Sequence, residues 1–141
     1  SDKAITVDKN GQQTSGGNNP SAEIHSVPSI TVPPPQGFSF VAGDFIGQNA
    51  GDFIFHYIIE QNNTVTVFGS IGSGVKICNL GANALTKDTE VPPDSSYTTP
   101  MDIHFIEGNT YAFKLANGKY ALMEVNRIGV ATRTINIIYR Y

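Results

Sequence analysis

The chain has 141 residues, enough for one domain with a substantial core and short for two. Only 15% of them are charged, and a net charge of −3 without a basic cluster excludes the usual electrostatics of nucleic-acid binding. No apolar run approaches the roughly eighteen residues that cross a bilayer as a helix. A single cysteine, Cys78, excludes an internal disulfide and a cysteine-built zinc site.

Residues 1–36 differ in kind from the rest. They contain no aromatic residue, and the runs SGGNNPS and VPPPQ read as flexible coil and stiff extended spacer. A start at Ser1 fits a mature, processed N-terminus or a trimmed sequence, and the tail that follows favours the first and hence an expectation of export. Two β-branched patches interrupt this tail, Ala4-Ile5-Thr6-Val7 and Ser29-Ile30-Thr31-Val32. In extended chain Ile5 and Val7, or Ile30 and Val32, point to one side and suit addition to the open sheet edge of a neighbouring copy. The alternative is a passive tether.

From residue 37 to 141 the pattern is all β. Strands are expected near 37–42, 51–59, 64–69, 74–80, 101–106, 109–116, 119–128 and 131–141, with one helical turn at most over Ala82–Asp88. About eight short antiparallel strands define a β-sandwich or small barrel. In YAFKLANGKYALMEV, Asn117-Gly118 predicts a type I′ turn that sets Leu115 opposite Tyr120 and Phe113 opposite Leu122. In the last strand, Ile135, Ile137, Tyr139 and Tyr141 share one side. Pro92-Pro93-Asp94-Ser95-Ser96 marks the longest loop, and loops at the ends of a sandwich are where ligands are met.

The candidate chemistry is sparse. Asp44, Asn49 and Asp52 in GDFIGQNAGDFIFHY have oxygens for calcium but lack the alternating carboxylates of a calcium loop, so turn formation explains them. GSIGSGVK misses the phosphate-loop spacing, because Val75 stands where the lysine belongs. Cys78, in Val75-Lys76-Ile77-Cys78, reads as a packed thiol. His56 and His104 are strand histidines able in principle to hold a metal or haem iron, although no carboxylate pattern accompanies them. Asn62-Asn63-Thr64 fits a glycosylation acceptor at Asn62. No nucleophile elbow or paired-carboxylate signature is present, and no cofactor is implied.

NLGANALTKDTEVPPDSSYTT, EGNTYAFKLANGKYALMEVNRI and INIIYRY together resemble secreted bacterial lipoproteins of unknown activity, over residues 79–141. The resemblance implies a surface-exposed all-β domain. The hairpin alone is similar to the closing strands of HmuY-like haem-binding lipoproteins, whose haem-ligating histidines do not align with His56 or His104. The sequence thus points to a non-enzymatic, extracellular all-β domain. It is either a structural subunit whose tail adds a strand to another copy, or a tethered module binding glycan, haem or protein.

Overall fold

The computed structural model describes residues 6–7, 13–15, 18–32, 34–48, 50–59, 65–129 and 131–141. In chain order the strands are β1 (Thr6–Val7), β2 (Gln13–Ser15), β3 (His25–Thr31), β4 (Gln36–Ser39), β5 (Asp44–Gly47), β6 (Phe53–Ile59), β7 (Val65–Ile71), β8 (Lys76–Asn79), β9 (Ile103–His104), β10 (Thr110–Lys114), β11 (Tyr120–Gly129) and β12 (Thr134–Arg140). Two antiparallel five-stranded sheets, β3-β12-β11-β10-β8 and β5-β4-β6-β7-β9, pack as a β-sandwich. β1 and β2 pair with each other in a separate two-stranded sheet.

The core between the sheets is aromatic. Phe53 of one sheet stacks on Phe113 of the other with ring centroids 5.2 Å apart; Phe38 stacks on Phe53, Phe40 lies tilted against both, and Phe38, Phe40 and Tyr139 pack edge-on against one another. Ile135, Ile137 and Tyr139 line this core as their alternation predicts, with Tyr141 packed against it. Gly69 on β7 lets the Phe105 ring lie against the strand, because a methyl there would overlap both that ring and the Ile54 carbonyl.

Two expectations are corrected. The tail does not extend to residue 36, because β3 is the edge strand beside β12, pairing Ile30 with Ile135 and Val27 with Ile137. Val32 is wholly buried, Ile30 packs against the core, and the Val32 N–H donates to Arg133 O at 2.8 Å. These residues therefore serve the chain's own sandwich rather than being free for a neighbour. Pro28 fits this position, since an edge strand can lose one N–H without breaking a central ladder.

Second, the β10–β11 loop is one residue longer than a type I′ turn. Leu115 N donates to Lys119 O and Gly118 N to Leu115 O, with Gly118 alone at positive φ, +84°. The register becomes Lys114 opposite Tyr120, Phe113 opposite Ala121 and Ala112 opposite Leu122. A one-residue shift moves every β11 side chain to the other face. Ala121, Met123 and Val125 thus enter the core, while Leu122 faces outward beneath a covering segment. Residues 82–88 contain no helix, within the limit of one helical turn, and a short 3₁₀ turn forms at Asp94–Ser96. β5, bounded by Gly43 and Gly47 at positive φ, was not foreseen.

Burying Val27 and Val32 stabilises the sandwich by about 1.5–3 kcal/mol each. Val32→Asp places an unpaired carboxylate in that core and is expected to cost more than about 3 kcal/mol, read as a lower urea midpoint at neutral pH.

Candidate functional site

The two outer faces are treated differently. Residues 80–97 lie over the outer face of the β10–β11 sheet, where Leu85 and Tyr97 bury Ala112 and Leu122 in a second apolar cluster. Two buried polar side chains fasten this cover. Glu124 Oε1 accepts the Leu85 N–H at 2.8 Å. Arg140, only 6% exposed, donates from Nε to Ser21 O at 2.8 Å and from Nη1 to Thr86 O and Thr89 O, each at 2.9 Å. Burial pulls the Arg140 guanidinium below its ordinary value, and the Asp88 charge opposes that shift. At the rim, Asp94 accepts hydrogen bonds from the Tyr120 hydroxyl and the Lys114 ammonium, which hold its carboxyl below the usual range.

At its far end this cover reaches the edge of the sandwich. Thr98 exchanges both backbone hydrogen bonds with Ile77, at 2.8 and 2.9 Å, in an isolated bridge on the outer side of β8. The chain then crosses to the other sheet through Pro100 and forms β9. Between β8 and β9 lies a cleft of about 370 Å³, floored by Ile77, Ile103 and Tyr111 and bordered by Cys78, Asn79 and His104. Ser96, Thr98 and Pro100 complete the rim, so among the described residues the lining carries no Asp, Glu, Lys or Arg. Its size falls within the range of small ligand sites. Burial raises the Cys78 thiol above its ordinary value, so the sulfur is held as a thiol and is a poor nucleophile.

His56 and His104 both oppose Phe68 of β7, one from each side, so they occupy a single cross-strand row. Two strand spacings, roughly 10 Å, separate their backbones. A shared tetrahedral ion with bonds of about 2 Å would require both rings to lean over the intervening strand. His56 Nε2 instead lies 3.4 Å from Ser70 Oγ, whereas His104 borders the cleft. No group of three or more His, Cys, Asp or Glu side chains gathers among the described residues. Asp44 Oδ1 accepts the Phe45 N–H and Asp52 Oδ2 the Phe40 N–H, both at 2.8 Å, so each fastens a turn. Half-burial raises the Asp52 carboxyl, and the Phe40 N–H counteracts this.

Val7 lies in β1, while Ile5, Asn49 and Asn62 lie outside the described residues. The structure brings none of the tail candidates together with either histidine among those described. What sequence reasoning missed is the juxtaposition of Asn79, Thr98, Ile103 and His104. The long loop it singled out does supply Ser96 to the rim. Comparison of the chain with protein-family models, curated proteins and solved structures gives no match.

Tyr97, 7% exposed, carries a buried hydroxyl without a hydrogen-bond partner among the described residues, and burial raises its phenol well above the ordinary value. Removing an unsatisfied buried hydroxyl relieves its desolvation cost. Tyr97→Phe is expected to leave stability unchanged or raise it by up to about 1 kcal/mol in urea denaturation. A loss of comparable size would show that the hydroxyl is satisfied in solution.

Proposed function

We propose that the protein is a self-assembling β-sandwich subunit of an extracellular or cell-surface structure, its N-terminal segment adding a strand to a neighbouring copy. The observation that carries this reading is that, among the described residues, β1 and β2 pair with each other and with neither five-stranded sheet. An isolated two-stranded sheet is at best marginal in water and gains stability by joining a larger one. Among the described residues the sheet edges are β3, β5, β8, which bridges Thr98 at Ile77, and β9, and an open edge is a template for another strand. Gly16-Gly17, between β2 and the sandwich joined from Asn18 onward, is a glycine pair of the kind that suits linkers. Because the donating and accepting surfaces differ, the contact is heterologous and extends into a fibre unless its rotation closes a ring.

The resemblance of residues 79–141 to secreted lipoproteins supports the surface location. A second reading, a tethered module that binds glycan, haem or protein, is favoured by the cleft between β8 and β9.

With β3 built into the sandwich, Ile5 and Val7 become the donor patch. Full-length protein is expected to form concentration-dependent oligomers or fibres by light scattering and electron microscopy. The Ile5→Asp/Val7→Asp variant should remain a folded monomer. Equal assembly by both proteins would discard the N-terminal donor, and a wild-type chain that stays monomeric throughout would favour the tethered module.

A further inference from the structure

We infer that the cleft between β8 and β9 binds one uncharged pyranose ring, the neutral monosaccharide unit of a glycan. This inference rests on the binding-module reading above, chooses among its ligands, and is independent of the N-terminal donor.

The walls of the cleft are held at a fixed separation. Tyr111 belongs to β10 of one sheet, yet its hydroxyl accepts the Ile106 N–H at 3.0 Å and donates to His104 O at 3.4 Å. A core side chain of one sheet thus staples the β9 wall carried by the other. On the opposite wall, the two backbone hydrogen bonds between Thr98 and Ile77 pin the rim to β8. A site formed before its ligand arrives loses little ordering entropy on binding.

The polar groups of the lining are uncommitted. Among the described residues, the Ser96 and Thr98 hydroxyls and the His104 ring make no hydrogen bond within the chain. Asn79 Oδ1 accepts the Gly81 N–H at 2.8 Å and Asn109 Nδ2 at 3.3 Å, which leaves Asn79 Nδ2 as a donor without a partner among those residues. Two hydroxyls, an amide donor and an imidazole therefore border a buried apolar floor of Ile77, Ile103 and Tyr111. A pyranose divides in the same way, with C–H groups on a ring face and hydroxyls around its edge.

Charge and size disfavour the competing ligands. Without Asp, Glu, Lys or Arg in the described lining, the propionates of haem or the carboxylate of a uronic acid would lose hydration and gain no permanent cation. The ammonium of an amino sugar would likewise find no carboxylate. A volume of about 370 Å³ lies near the lower end for small-ligand sites and suits one ring rather than a macrocycle. Tyr111 is only 1% exposed, so no aromatic face in the lining adds stacking, and the expected dissociation constant is about 1 mM.

Amide NMR of the isotope-labelled chain tests this with methyl β-glucoside, methyl β-galactoside, methyl α-mannoside and N-acetylglucosamine. At least one should shift the amides of Asn79, Thr98 and His104 saturably, at about 1 mM. Glucuronic acid and glucosamine, which carry a charge on the same ring, should bind at least roughly fivefold more weakly. Thr98→Val removes a rim hydroxyl while keeping the backbone bridge, and His104→Phe removes the imidazole from an exposed position. Each should weaken the neutral sugar by roughly threefold to tenfold. Unchanged amide positions away from the cleft separate that loss from a folding defect. Equal binding of neutral and charged sugars, or affinities unmoved by both variants, would overturn the assignment. Should a sugar shift only the amides of other loops, or haem give a Soret change that His104→Phe abolishes, the assignment falls while the binding-module reading stands. With no saturable shift from any of these sugars or from haem, the assignment falls together with the glycan and haem versions of that reading.

Discussion

The pairing of β3 with β12 is the contact on which the architecture turns. It closes the apolar side of the last strand, where Ile135, Ile137 and Tyr139 would otherwise flank an open edge. It also fixes the direction in which the chain crosses from one sheet to the other, since Val32 is buried between the end of β3 and the start of β4. Polar ties reinforce the docking. Asn136 Nδ2 donates to Val27 O at 2.9 Å opposite the bulge in β3, and His25 stacks on Tyr139 with centroids 5.1 Å apart. Further upstream, the Tyr120 N–H donates to Asn18 O at 2.7 Å and Arg140 holds Ser21 O. The N-terminal segment from Asn18 onward is therefore part of the sandwich.

That anchoring divides the molecule's surfaces. One outer face is closed by residues 80–97, secured by a buried carboxylate and a buried guanidinium that each satisfy backbone groups. Removing either partner would leave buried polar groups unpaired, a larger penalty than a typical hydrogen bond contributes. This cover ends at β8, where Thr98 takes both outward backbone groups of Ile77, and the cleft toward β9 lies beside it.

The sequence made the all-β character and the inward face of β12 legible because strict alternation survives along Ile135, Ile137 and Tyr139. It concealed β3, where Pro28 interrupts the run and Val27 alone is deeply buried within the strand. Composition there resembles a linker, and only the tertiary partner β12 reveals the strand. The β10–β11 register was hidden for a different reason: Asn117-Gly118 suits a two-residue loop and a three-residue loop with a glycine bulge almost equally. The cleft was illegible as a unit because its walls come from residues 77–79, 96–100 and 103–104, brought together by the crossing between sheets.

Native-state hydrogen exchange of the β3 amides against those of β12 tests the central claim most directly. If β3 is integral to the sandwich, its hydrogen-bonded amides exchange in the same cooperative unit as Ile135–Tyr139, with protection approaching that of global unfolding. Exchange of β3 through an independent, low-energy opening, while β12 stays protected, would contradict the account and return Ile30 and Val32 to the role of a detachable donor strand.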